Sequence, residues 1–326
     1  MKPQPALFLA LLLPTIASAG TATTPTRLTE ETRLVWANRD QAGQLLGTSD
    51  LFIQSLSPFD RAVRLRSAPP PTTEGFLAFV GQQALDWSED ERKRLESAFQ
   101  RIAPRLQERH LPFPKTVLMI KTTGKDEPAP YTRMNAIILP KRVTESPRPH
   151  DALLAHELFH ILSRNAPQSY RTRLYQTLGF FPCGRITLPP ELAPFRITNP
   201  DSPIYDYGIQ IQHQGTEHTV IPVLLSQSQR FDPQEKKPFF SYLEQTLMKL
   251  DQVEGQWRPA RHANSPVVWE LDAVENFYPQ IGGRTYSVFQ PDEILAQHFT
   301  RLIMGDSAAP PDSITAKLAR ALSPTP

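Results

Sequence analysis

A chain of 326 residues with 40% hydrophobic content has room for one large domain or two modest ones and an ample core. Charged residues make up 21%, the formal net charge is +2, and no basic block appears, so neither nucleic acid nor an acidic membrane is called for as a partner. Proline outnumbers glycine 34 to 14, which argues for many stiff connections and few long uninterrupted helices.

Residues 1–19 read as a secretory signal: Lys2 is the positive start, Ala6 to Leu13 the apolar stretch, and Ala17-Ser18-Ala19 the small-x-small cleavage site before Gly20. The stretch is too short to span a bilayer, and no other run reaches spanning length. The expectation is a bacterial periplasmic or secreted protein without a membrane span once the signal is removed. Cys183 is the single cysteine, so no disulfide is expected; its flanks Phe181-Pro182 and Gly184 suggest a turn with an inert thiol.

Residues 20–73 form an N-terminal segment that ends in the stiff connector Ser67 to Thr73. Residues 74–305 are expected to be the main domain. Within it, Phe76-Leu-Ala-Phe-Val80 suggests a strand. Ser88 caps a helix with an acidic first turn running to about Arg109, and Pro104 implies a kink or an early end. Thr116 to Lys121 and Asn135 to Leu139 read as strands from their β-branched and apolar content. Asp151 is a candidate cap for the helix that follows. A helix from about Ser169 to Leu178 comes next, then a proline-rich stretch with a turn at Asn199-Pro200-Asp201. Gly208 to His213 and His218 to Leu225 suggest a hairpin, and Phe239 to Leu250 a helix. Pro291 to Met304 is a well-marked helix, with proline at its start and Gly305 at its end. The tail, residues 306–326, is rich in Pro, Ala and Ser and is expected to be loosely ordered.

The run Asp151 to Arg164 contains His156-Glu157-Leu158-Phe159-His160. On a helix, positions i and i+4 share a face, so the two imidazoles can hold one metal ion, and neutral imidazole suits zinc. Glu157 lies about 100° round the helix, placed to take a proton from a water at the metal. Leu153, His156, Glu157, His160 and Arg164 fall in one arc, with Leu154, Ala155, Leu158, Ile161 and Leu162 opposite. The pattern predicts a mostly apolar helix with one polar stripe.

A catalytic zinc takes a third protein ligand. A third histidine at the longer motif's spacing is excluded, because positions 163 and 166 are Ser163 and Ala166. No acid occurs between Asn165 and Pro190, which excludes a glutamate on the next helix. Glu293 is favoured: it sits in the first turn of a clear helix, with small Ala296 three residues on allowing close packing. Glu191, Glu270, Asp272 and Glu275 are the alternatives. Tyr205, Tyr207, Tyr286, His213 and His218 are candidate oxyanion donors. His150 and His298 read as surface or supporting residues.

His156-Glu157-x-x-His160 on a helix, with a distant helical Glu, resembles the zincin superfamily of zinc metallopeptidases, in its gluzincin branch. The resemblance covers the motif helix, the preceding strands and the Glu293 helix. The HELFH run and the late Pro291-Asp-Glu-Ile-Leu-Ala296 segment also look like a group of exported bacterial proteins. This resemblance implies Zn2+, a peptide or protein substrate, and an α+β fold with an upper small-sheet and helix lobe and a mainly helical lower lobe. The expected function is an exported zinc peptidase with His156, His160 and Glu293 as ligands and Glu157 as general base. Helix, strand, strand, helix would also set an edge strand beside the metal for an extended peptide. The competing expectation is a non-catalytic peptide- or protein-binding module on the same scaffold, with a structural or idle metal.

Overall fold

Alternation along two short strands explains the first half of the molecule. The computed structural model describes residues 26–283, 290–305 and 310–323; the expected signal region and Tyr286 lie outside them. Strand β1 (Arg33–Trp36) precedes helices α1 (Arg39–Leu46), α2 (Leu51–Ser55), α3 (Pro58–Leu65) and α4 (Thr73–Gly81). A short β2 (Ala84–Leu85) leads to α5 (Glu89–Gln107), β3 (Thr116–Thr122), β4 (Tyr131–Arg133) and β5 (Ala136–Pro140). The strands lie in the order β1-β3-β5-β4, with β2 also on β3. β1, β3 and β5 run parallel, and β4 runs antiparallel at the edge.

Successive strand side chains point to opposite faces, so β3 serves two cores. Val117 and Met119 pack with Leu95, Phe99 and Ile102 of α5. Ile120, with Ile138 of β5, packs with Ala42, Leu46, Phe52 and Val80 from the N-terminal helices. The sheet is thus covered on both faces, as parallel sheets require. Helix α5 starts where its sequence indicates, with Ser88 and Glu91 exchanging hydrogen bonds in a capping box. It runs through Pro104 and ends three residues later.

Phe76 to Val80 is helical in α4, not a strand. Thr72 caps that helix, and Phe76 and Val80 bury the same face at i and i+4. A five-residue apolar run fits both periods, and the cap decides it.

After a short α6 (Lys141–Thr144) comes the motif helix α7 (Asp151–Asn165), then α8 (Gln168–Gln176). Asp151 does not cap α7; it pairs with Arg101 of α5, at 2.5 and 2.9 Å. Leu154, Ala155, Leu158, Ile161 and Leu162 are fully buried, as the helical wheel predicts.

The second half departs from the expected mainly helical lobe. Strands β6 (Phe181–Ile186), β7 (Tyr205–His213), β8 (Thr216–Ser226), β9 (Leu243–Val253) and β10 (Gln256–Pro259) form a sheet in the order β10-β9-β8-β7-β6. A two-stranded ribbon, β11 (Arg261–His262) and β12 (Ser265–Pro266), precedes β13 (Val268–Glu270), which also pairs with β9. The β7–β8 hairpin turns at Gln214-Gly215, with φ of +51° and +71°, the left-handed pair that suits strand twist. Residues 239–250, read as a helix, form a short 3-10 turn followed by β9. Eight residue pairs from Thr219↔Leu250 to Ser226↔Leu243 hold β9 to β8, and pairing across the sheet overrides the local apolar spacing.

Helices α9 (Phe277–Gln280), α10 (Pro291–Met304) and α11 (Ile314–Leu322) complete the chain. Part of the tail is therefore ordered: Leu318 and Leu322 of α11 are buried in the main core with Phe299 of α10. No helix among the described residues is long and apolar enough to cross a membrane. The fold is a mixed α+β architecture with a covered parallel sheet first and an antiparallel sheet second.

Helix α10 docks on α7 through apolar contact that includes Phe159 and Phe299, whose ring centroids lie 5.4 Å apart. Phe299→Ala is expected to cost about 3–5 kcal/mol, measured by urea denaturation of the metal-free protein.

Candidate metal centre

One turn of α7 sets the first two groups. His156 and His160 stand at i and i+4 with ring centroids 4.8 Å apart. Docking of α10 brings Glu293 against both: Glu293 Oε2 lies 3.3 Å from His156 Nε2, and Glu293 Oε1 lies 3.7 Å from His160 Nε2. Nitrogen and oxygen ligands held at about 2.0–2.1 Å in a tetrahedron stand about 3.3–3.4 Å from one another. The two separations are close to that spacing, and the three ligand atoms lie within 4.8 Å of one another, so the group could hold a metal ion. Two imidazoles and one carboxylate also form a donor set suited to zinc.

Two of the three groups, His160 and Glu293, are braced from behind. His160 Nδ1 donates to Asp292 Oδ2 at 2.5 Å, which leaves Nε2 for a metal. Asp292 Oδ1 accepts from the Tyr175 hydroxyl at 2.7 Å, and that hydroxyl is also bonded to Ser163 Oγ at 3.1 Å. Glu293 Oε1 accepts from Asn199 Nδ2 at 2.8 Å. Neighbouring residues on a helix diverge by about 100°, so Asp292 meets the outer nitrogen of His160 while Glu293 meets the inner one.

Charge in the cluster is strongly coupled. Burial works to raise the Glu293 carboxyl, but His160, His156 and Asn199 outweigh it and hold it at about 2. Burial opposes a charge on His160, yet Asp201, Glu293 and Asp292 raise its pKa well above the ordinary histidine value. Burial also lifts Glu157 well above the carboxylate range, reinforced by Asp201 and opposed by His160. Glu157 is 3% exposed, and its Oε2 has no hydrogen-bond partner among the described residues. A buried carboxylate oxygen left without a partner is costly unless something binds there.

His156, Glu157 and Glu293 line a cleft of about 880 Å³. Its walls come from α7, α10, the approach to β4, and the segment 197–201. The two expected strands are β3 and β5, both inside the sheet; the edge strand beside the motif helix is β4, which the sequence did not reveal. Its Thr132 amide is not open to a peptide, because Asp201 Oδ1 accepts from Thr132 N at 2.8 Å and from Thr132 Oγ1 at 2.5 Å.

The other candidates lie elsewhere. Glu191 forms an exposed pair with Arg261 at 2.9 Å, Glu275 Oε1 accepts from Gly215 N at 3.3 Å, and neither Glu270 nor Asp272 joins the metal group. Tyr205 packs against Arg196, Tyr207 is bonded to Thr172, and His213 and His218 stack on Trp269. None of these four lines the cleft. His150 faces Val143 O at 3.0 Å, and His298 is bonded to Thr315. Cys183 is buried, and burial pushes its thiol up to about 12, as an inert thiol requires. Sequence reasoning missed Asp292, Asn199, Asp201 and Tyr175. Only Asp292 carried a local signal, as an acid directly before the favoured ligand.

Comparison with protein-family models, with curated proteins and with solved structures found no match for this chain.

Two outcomes follow from this geometry. Asp292→Asn is expected to weaken zinc affinity about 10- to 100-fold, read by competition with a chelating dye. Metal also competes with a proton for the His160 ring, whose pKa the neighbouring carboxylates raise. Apparent zinc affinity is therefore expected to rise with pH until that raised pKa is passed, and calorimetry in buffers of different ionisation enthalpy at pH 7 should record net proton release.

Proposed function

We propose that the protein is an exported zinc peptidase with a zincin-like site, in which His156, His160 and Glu293 hold the ion. The observation that carries this reading is the convergence of those three side chains around one point, beside a buried glutamate with an unpartnered oxygen, at the wall of a large cleft. A structural metal needs neither the base nor the cleft, because structural sites are closed by four protein ligands.

Zinc, when bound, supplies a Lewis acid for the scissile carbonyl and lowers the pKa of water. The chain's residues do the rest. Glu157 accepts the proton of the attacking water at its free Oε2, and the water oxygen adds to the peptide carbonyl. As the C–N bond breaks, the same carboxyl gives that proton to the leaving amine, so one water is consumed and an acid and an amine are released. Burial favours a protonated Glu157 and so suits the second half of this exchange, while a cation beside it favours the carboxylate needed for the first. Asp292 and Asn199 keep His160 and Glu293 in register, and no proton need pass through them.

Glu157→Gln is expected to retain one equivalent of zinc and lose about 10²- to 10⁴-fold in turnover. The measurement is metal analysis together with a peptide-library digest read by mass spectrometry. Turnover equal to that of the parent would exclude Glu157 as the base. Full zinc with no hydrolysis of any peptide by the parent protein would point instead to a binding module with an idle metal.

A further inference from the structure

Beyond the metal ligands the same cleft is walled by Ile197, Leu224, Phe239, Phe240 and Leu243. These come from the 197–201 segment, from β8, and from the 3-10 turn that leads into β9. Ile197 is tied to β8, its amide donating to Leu224 O at 3.0 Å. Two residues on, Asn199 Nδ2 holds Glu293 Oε1 at 2.8 Å. Two residues of chain span at most about 7 Å, so the apolar wall begins within a residue or two of peptide from the metal position.

The polar groups behind this wall satisfy one another. Arg64 Nε donates to Asp60 Oδ1 at 2.8 Å, Nη2 to Thr198 O at 2.7 Å, and Nη1 to Glu127 Oε2. The other oxygen of Glu127 accepts from Ala129 N at 3.3 Å, and the Thr198 amide donates to Asp60 Oδ2 at 2.7 Å. The Arg64 guanidinium lies 4.8 Å from the Phe239 ring centroid, and Phe240 packs edge-on against Phe239 at 5.3 Å. A matched ion network thus fixes the aromatic pair from behind. Phe240 is nevertheless 55% exposed, the most exposed large hydrophobic side chain among the described residues.

We infer that this wall is a subsite for one large apolar side chain of the peptide substrate, with Phe240 setting the preference; the inference rests on the peptidase reading above. The wall is continuous with the metal position, so its occupant belongs to the same molecule that crosses the metal. An exposed aromatic ring gains by burial only against another apolar group. An acidic side chain placed here would lose its water and meet Glu127 and Asp60, which already outnumber Arg64. A basic one would meet the Arg64 guanidinium and find both oxygens of Glu127 engaged. Glycine would leave the wall wet. Side chains of the Phe, Leu and Met class are what the surface can take, at a fixed position within two residues of the cut bond.

The test uses Ala-rich decapeptides with blocked ends and one central Phe, Leu, Gly, Asp or Lys, digested by the zinc-loaded protein and read by mass spectrometry. Phe and Leu peptides should be cut at one fixed bond within two residues of the guest. Their kcat/KM should exceed that of the Gly, Asp and Lys peptides by about 10- to 100-fold, the worth of burying one large apolar side chain. Phe240→Ala should keep its zinc content and melting temperature and lose most of that ratio through KM, and Phe240→Leu should restore it. Binding of the same peptides to the Glu157→Gln protein, followed by calorimetry, should rank them in the same order, with a more negative heat-capacity change for Phe and Leu. Cleavage without preference for Phe or Leu, or a preference unchanged in Phe240→Ala, overturns the inference and leaves the peptidase reading standing. If the parent cuts no peptide yet Phe and Leu peptides bind in that order, the peptidase reading falls and the subsite stands. Neither cleavage nor ranked binding overturns both.

Discussion

Burial of the Glu293 carboxylate between two imidazoles is the interaction on which the site depends. A lone carboxylate moved into a protein interior costs several kcal/mol, and only close partners offset it. Here His156 and His160 on one helix and Asn199 from the 199–201 turn supply them. Three chain segments far apart in sequence must therefore arrive together. The apolar faces of α7 and α10, including Phe159 and Phe299, hold that arrangement by packing. Electrostatics selects the geometry, and hydrophobic burial supplies the driving force.

Consecutive acids on α10 divide two tasks. Asp292 takes the outer nitrogen of His160, and Glu293 faces the inner ones of both histidines. Because adjacent helical residues diverge by about 100°, one short stretch can bracket an imidazole from two sides. Tyr175 on α8 extends the brace, so a fourth element shares in holding the ligand ring. Rigid support of this kind is what metal ligands require, since small rotations of an imidazole change its affinity for an ion.

The 199–202 turn contributes one wall of the cleft. In sequence it is a common turn signal in a proline-rich stretch. In the fold its side chains and carbonyls are bound to α7, β4 and α10, and its two acid and amide side chains face the metal position. No local pattern announces this, because every partner comes from another element. The same reason explains why residues 239–250 read as a helix and fold as β9. Their apolar spacing allows both, and eight pairings to β8 decide for the strand.

Elements with strong local signals were legible without the fold: the capped start of α5, strands β3 and β5, the β7–β8 hairpin, and the length of α10 between Pro291 and Gly305. So were the two histidines and Glu157, because a four-residue spacing on a helix places groups on one face whatever surrounds them. Glu293 was legible in part, by exclusion of nearer ligands and by its place on a clear helix. Only tertiary structure decided that Glu293 meets both histidines, that Asp292 stands behind one of them, and that Asp201 stands beside Glu157 and His160. Those facts depend on how segments more than thirty residues apart pack, and local propensity carries no information about that distance.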